Sequence, residues 1–199
     1  MTKQTTTLRS FSPSTEVKKE SQGFLVGNRI PKDYFETGGV GESDIAIHAG
    51  SYHLALKAAN IEMANIMTYS SILPGIANKV ERPNTIEHGA VVESIMSVCT
   101  ADKGERASAG IVYGWLYNNK TNQKFGGLVC EHYGNYEPVE LKSLLRASLD
   151  ELYFNGFSDD YQLKDIHFLT ESFIPQKKYG TALVALCFTS YYYPILRAS

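Results

Sequence analysis

Over residues 138–153 the chain carries Leu141, Leu144, Leu145, Ala147, Leu149 and Leu152 at helical spacing, and most of what surrounds this stretch reads as strand. An amphipathic helix has to bury its apolar face against a neighbour. The neighbours on offer are β segments at 90–99, 107–117, 124–133, 161–174 and 179–192. Two of them, 107–117 and 124–133, are joined by the turn Asn118-Asn-Lys-Thr-Asn122 and read as a hairpin. A second, shorter helix is expected over 51–63, with Leu54, Ala58 and Ile61 on its buried side. Thr37-Gly-Gly-Val-Gly-Glu-Ser-Asp44 puts three glycines in five positions and reads as a loop or tight turn. Helix, strands, helix, two strands is an α+β order, with mixed or antiparallel sheets and the helices as outer layers.

A chain of 199 residues suits one domain plus a tail. Residues 1–22 are a Thr/Ser/Lys/Gln mixture with little to bury, so they read as a disordered polar tail, and 23–199 as a single domain. The same stretch lacks the apolar core of a secretory leader. The longest apolar run, Ala182 to Phe188, is too short to span a bilayer. A net charge of -2 gives no electrostatic case for nucleic acid or an anionic membrane. Cys99, Cys130 and Cys187 are odd in number, lack CxxC spacing and sit in strand-like segments, which fits reduced, buried thiols in a cytoplasmic protein. His48, His53, His88, His132 and His167 are scattered, so no metal site is expected.

The chemistry concentrates in Asn65-Ile-Met-Thr-Tyr-Ser70-Ser71-Ile-Leu-Pro74. A Ser-Ser pair means little alone. Here it ends an apolar strand and precedes a turn closed by Pro74 and Gly75, a junction able to hold a peptide bond in strain. The Ser71 hydroxyl could then attack the Ser70 carbonyl and shift the acyl group from nitrogen to oxygen. Elimination from the ester would leave a new N-terminus that hydrolyses to a pyruvoyl group. An amide side chain such as Asn65 could stabilise the oxyanion.

These residues resemble the processing site of the pyruvoyl-dependent arginine decarboxylases, in which Asn precedes a Ser-Ser or Thr-Ser pair by five positions. The Thr37–Asp44 stretch, His88-Gly-Ala-Val-Val-Glu-Ser-Ile-Met96 and Gln176-Lys-Lys-Tyr-Gly-Thr-Ala-Leu-Val-Ala-Leu-Cys-Phe188 are similar to further segments of the chlamydia-type members, in the same order. The resemblance implies a four-layer αββα sandwich, cut between Ser70 and Ser71 into a β chain (1–70) and an α chain (71–199). It implies a covalent pyruvoyl group derived from Ser71, and a homotrimer or a pair of trimers with active sites between neighbours. It implies conversion of arginine to agmatine and carbon dioxide.

Glu131, in Gly127-Leu-Val-Cys-Glu131, matches the family's proton donor. Alternation puts it on one face with Phe125 and Val129, where burial would raise its pKa. Substrate contacts are implied at His53, Glu62 and Ala64. The family has an aspartate where His53 stands, and histidine offers a guanidinium no fixed negative charge. Glu62 is the candidate replacement. The alternatives are the same chemistry on ornithine or lysine, or a scaffold relative that does not cleave.

Overall fold

The computed structural model describes residues 25–196, so the polar tail 1–22 lies outside the described residues. Its elements run β1 (Ile30–Pro31), β2 (Asp33–Ser43), a π-helical turn (Ile47–Tyr52), α1 (His53–Ala58), β3 (Asn65–Thr68), β4 (Ile72–Pro74), β5 (Asn78–Lys79), β6 (Val91–Asp102), β7 (Ala107–Asn118), β8 (Lys124–Gly134), α2 (Pro138–Gly156), β9 (Tyr161–Phe173), β10 (Tyr179–Phe188) and β11 (Tyr191–Tyr192). The class is α+β, and none of the described helices is long and apolar enough to cross a membrane.

Two main sheets form. The first is mixed, ordered β3-β6-β10-β2-β5, and the second is antiparallel, ordered β4-β8-β7-β9. The expected hairpin is β7–β8, although its register shifts beside Leu116. The last β segment, read as one run to Tyr192, breaks into β10 and the short β11, which pairs with β1.

The central strands explain the sequence. In β10, Ala182, Val184, Leu186 and Phe188 face a core that also holds Ile95, Ile111, Tyr113 and Val129, so this cluster lies between the sheets. Leu183, Ala185 and Cys187 alternate onto the opposite face, against Ala55, Leu56 and Ala59 of the α1 region. A strand buried on both faces has no room for polar alternation, hence the apolar run. On the second sheet Leu141, Leu145 and Leu149 of α2 pack on Val112, Leu116 and Leu128. Pro138 opens that helix in the first turn, where its missing N–H costs nothing, and Glu140 suits the positive end of the dipole.

Two expectations for the N-terminal third change. The glycine-rich stretch 37–44 is not a loop: through Ser43 it is β2, paired along its length with β10. Its glycines serve close approach instead. A Cβ on Gly39 would lie 2.5 Å from the Ala55 carbonyl oxygen, and one on Gly41 would lie 2.4 Å from the Ala55 nitrogen and Ser51 oxygen. The helix over 51–63 is also shorter, a π-helical turn followed by six α residues. Its buried side is Ala55, Leu56 and Ala59, while Leu54 and Ala58 are exposed; Ile61, past the end of the helix, is buried as expected. The small side chains face the glycines because only they fit where backbone meets backbone.

Candidate active site

Ser70 and Ser71 occupy the crossover between the two sheets. β3 runs parallel to β6 in the first sheet, and Tyr69 N–H continues that ladder onto the Ser94 carbonyl at 2.8 Å. Three residues later β4 is paired with β8 in the second sheet. The residues after the pair are therefore not only a turn: Ile72–Pro74 form a separate strand on the other side of the core, ended by Gly75. Neither Ser70 nor Ser71 has a positive φ, so the junction carries no left-handed backbone strain.

On the second-sheet side, Val129 N–H bonds the Ser71 carbonyl at 3.3 Å. Glu131 lies two residues further along β8, within diagonal reach. The Ser71 Oγ donates to the Glu131 carboxylate, 2.8 Å from each oxygen. Burial pushes the Glu131 carboxyl above the ordinary carboxylate range, and the Ser71 hydrogen bond partly opposes that rise. Glu131 shares the inter-sheet side with Val129, but Phe125 does not belong with them. The irregular register beside Leu116 takes Phe125 out of alternation; it is 57% exposed, with its ring 4.6 Å from that of Tyr161. Ser97 pins the sheets together beside the site, its hydroxyl donating to the His132 carbonyl at 2.8 Å.

On the first-sheet side stands a carboxylate that sequence reasoning passed over. Glu93 is 3% exposed, accepts a hydrogen bond from the Tyr69 hydroxyl, and pairs with the Arg29 guanidinium. Arg29 in turn lies 5.4 Å from the centre of the Tyr191 ring. The signal was present, since Glu93 alternates with Val91 and Ile95 on one strand face, where an acid needs a partner. Tyr69 directly precedes the serine pair, so this cluster fixes the incoming chain.

The remaining sequence candidates fall elsewhere. The Asn65 amide donates to the Gly89 carbonyl at 3.0 Å. His53, first residue of α1, lines a cleft with His48, Tyr52 and Leu56, whereas Glu62 lines a separate one with Asn60, Arg82 and Thr85. Ala64 packs half-buried beside the α1 cluster. Cys99 and Cys187 are buried, but Cys130 is only half-buried, short of the buried position expected from its strand. Burial pushes the Cys130 thiol up to about 11 and Cys187 to about 12, so neither is a thiolate nucleophile near neutral pH. Among the described residues no three His, Cys, Asp or Glu side chains converge as metal ligands would.

Comparison with known proteins gives a consistent result. A family model described as pyruvoyl-dependent arginine decarboxylase (PvlArgDC) matches residues 33–192. The chain is 32% identical over 190 residues to the pyruvoyl-dependent arginine decarboxylase AaxB of Chlamydia trachomatis serovar L2, covering 83% of this chain and 94% of that one. It is 28% identical over 185 residues to the AaxB of Chlamydia caviae, with the same shares covered. A pyruvoyl-dependent arginine decarboxylase from Methanocella arvoryzae is 33% identical over 125 residues, covering 61% of this chain and 73% of that one.

Proposed function

Because the chain belongs to the pyruvoyl-dependent arginine decarboxylase family, we propose that it cuts itself between Ser70 and Ser71 and that Glu131 serves the chemistry on both sides of that cut. Arginine decarboxylation with a covalently held pyruvoyl group is the activity that membership carries. The observation that carries the residue assignment is the Ser71 hydroxyl held 2.8 Å from both oxygens of a half-buried carboxylate, at the crossover between the sheets. Ser71 is thus both the nucleophile of the cut and the source of the cofactor.

In self-cleavage the Ser71 Oγ adds to the Ser70 carbonyl carbon, and the peptide bond is exchanged for an ester. Loss of the Ser71 α-proton expels the Ser70 carboxylate, and hydrolysis of the resulting enamine releases ammonia. When formed, the pyruvoyl ketone supplies the electron sink that lets carbon dioxide leave the substrate's α-carbon. Glu131, its proton affinity raised by burial, delivers the proton that replaces it. A carboxyl whose proton affinity is raised by burial can accept a proton in one reaction and give one in the other.

Asn65 is assigned to oxyanion stabilisation from its place in the motif. At about 3.3 Å per residue, Ser70 lies on the order of 15 Å further along the strand. Asn65 therefore serves a neighbouring subunit's junction. That fits a homotrimer, or a pair of trimers, with sites between subunits. The exposed apolar side chains Met67, Ile72 and Val91 around the crossover support such an interface. Of His53, Glu62 and Ala64, the assigned substrate contacts, only Glu62 offers the charge a guanidinium needs. The three clusters, two between a helix and a sheet and one between the sheets, support a four-layer αββα sandwich over 23–199 as one domain. Three free thiols suit the reducing cytoplasm.

The test is a Ser71→Ala chain alongside the parent. The parent is expected to yield a fragment of residues 71–199 that reacts with carbonyl reagents and to release agmatine from arginine. The variant is expected to stay whole and inactive. A parent that decarboxylates arginine while uncut would contradict the assignment.

A further inference from the structure

We propose that the backbone N–H of Ile72 is the oxyanion donor of self-cleavage within its own chain, an inference that rests on the cleavage reading above. Ile72 N–H donates to the Ser70 carbonyl oxygen at 3.0 Å, closing a three-residue turn on Ser71. That oxygen is the one that takes up charge. As the Ser71 Oγ bonds to the Ser70 carbon, the carbonyl π pair moves onto oxygen and the Oγ proton passes to the Glu131 carboxylate, 2.8 Å away. When the intermediate collapses, the C–N bond breaks, the carbonyl re-forms and the Ser71 nitrogen takes up a proton, leaving ester and amine. No co-reactant is needed. A donor already at bonding distance strengthens as the charge grows and needs no reorganisation.

The geometry leaves this N–H free for the task. β4 is the edge strand of its sheet. Ile72 stands opposite Leu128, and the neighbouring bond is Val129 N–H to the Ser71 carbonyl. Ile72 is therefore at a non-bonded position of the antiparallel ladder, with its N–H directed away from β8. Its side chain is 67% exposed, so the residue adds little to the core. The Asn65 amide is held on Gly89 and stands at the far end of the strand. Within one chain the donor is the N–H that follows the nucleophile.

Full-length Ile72→Pro and Ile72→Ala chains test this, with splitting followed by intact mass and folding by circular dichroism and melting temperature. Proline removes the N–H at an edge position where strands tolerate it. The alanine variant keeps the N–H and, in the fraction that light scattering shows assembled as the parent is, is expected to split within a few-fold of the parental rate. Folded Ile72→Pro is expected to split about 10²–10³-fold more slowly, the usual cost of one oxyanion donor. Proline also restricts Ser71, so a third chain replaces Ile72 by its α-hydroxy acid analogue, which removes the N–H and keeps the side chain. The ester also weakens the Ser71 carbonyl as acceptor for Val129 N–H, and fragment masses separate a cut at 70–71 from hydrolysis of the ester at 71–72. The ester-linked chain is expected to slow by the same factor. Splitting at the parental rate by folded Ile72→Pro or by the ester-linked chain overturns the assignment. If the proline chain does not fold, the ester-linked chain decides alone. A parent that never splits overturns the cleavage reading and the donor role with it.

Discussion

The two sheets are built for different work, although each carries a helix and each delivers one end of the Ser70–Ser71 junction. The first sheet holds. Its helix sits backbone to backbone on Gly39 and Gly41, and its end of the junction is anchored through Tyr69, Glu93 and Arg29. In the proposed self-cleavage, the second sheet reacts. Its helix stands off on leucine side chains, with Leu141, Leu145 and Leu149 fully buried, and its end of the junction carries the Ser71 hydroxyl, the Ile72 N–H and Glu131. A bond cut by its own chain needs both: a fixed strand to present the carbonyl and a proton-handling strand to receive the nucleophile.

Substitutions on the two sheets should therefore separate chemistry from stability. The largest effect is expected from Glu131→Gln on the reacting side. Its agmatine release per cut chain should fall about 10²–10⁴-fold, the range for a lost general acid or base. The parental activity should fall as pH rises through the raised Glu131 pKa, because the proton donor is then lost, and this alkaline limb should vanish in the variant. Stability follows the same sign. A raised pKa adds stability below the ordinary carboxylate value and loses it as pH rises through the folded value. Melting curves across pH should show that loss in the parent and not in Glu131→Gln.

Next comes Gly41→Ala on the holding side. The added Cβ meets backbone atoms at 2.4 Å that cannot yield separately, so destabilisation of about 3 kcal/mol is expected. That is a fall of roughly 10 °C in a thermal melt for a chain of this size. Tyr69→Phe leaves the buried Glu93 carboxylate short of a donor and should cost about 2 kcal/mol, read as a smaller fall in melting temperature with cleavage slowed less than about tenfold. Gly110→Ala is the counterpart of Gly41→Ala on the reacting sheet. Its Cβ meets side chains and no backbone: Leu145 Cδ1 at 2.7 Å, and Leu141 Cδ2 and Cγ at 3.1 and 3.3 Å. Those rotamers can shift, so a cost near 1 kcal/mol is expected. Equal losses at Gly41 and Gly110 would erase the distinction between the two helix seats.

The same contrast explains what was legible in the sequence. Leu141, Leu145 and Leu149 repeat every four residues, so the helix on the reacting sheet could be read directly. On the holding sheet, local pattern misleads. Glycine promotes turns when nothing packs on it, and the reason for Gly39 and Gly41 is the following helix, which folds back onto the strand. The face of β8 that carries Glu131 was half legible. Glu131 alternates with Val129 as expected, but no local pattern announces the register irregularity that removes Phe125. The Ser70–Ser71 pair was found through its motif, whereas its position between two sheets was not, because an apolar run that ends in a serine pair and is followed by Pro-Gly reads as one strand and its turn. The role proposed for Ile72 lies in a backbone N–H, which side-chain identity does not encode.

The most direct test of the central claim is intact mass spectrometry of the purified chain, followed over time with the N-terminus of each fragment identified. Two fragments, residues 1–70 and 71–199, with a carbonyl in place of the amine at residue 71, are the predicted result. A single uncut chain of 22.1 kDa that persists on prolonged incubation would contradict it.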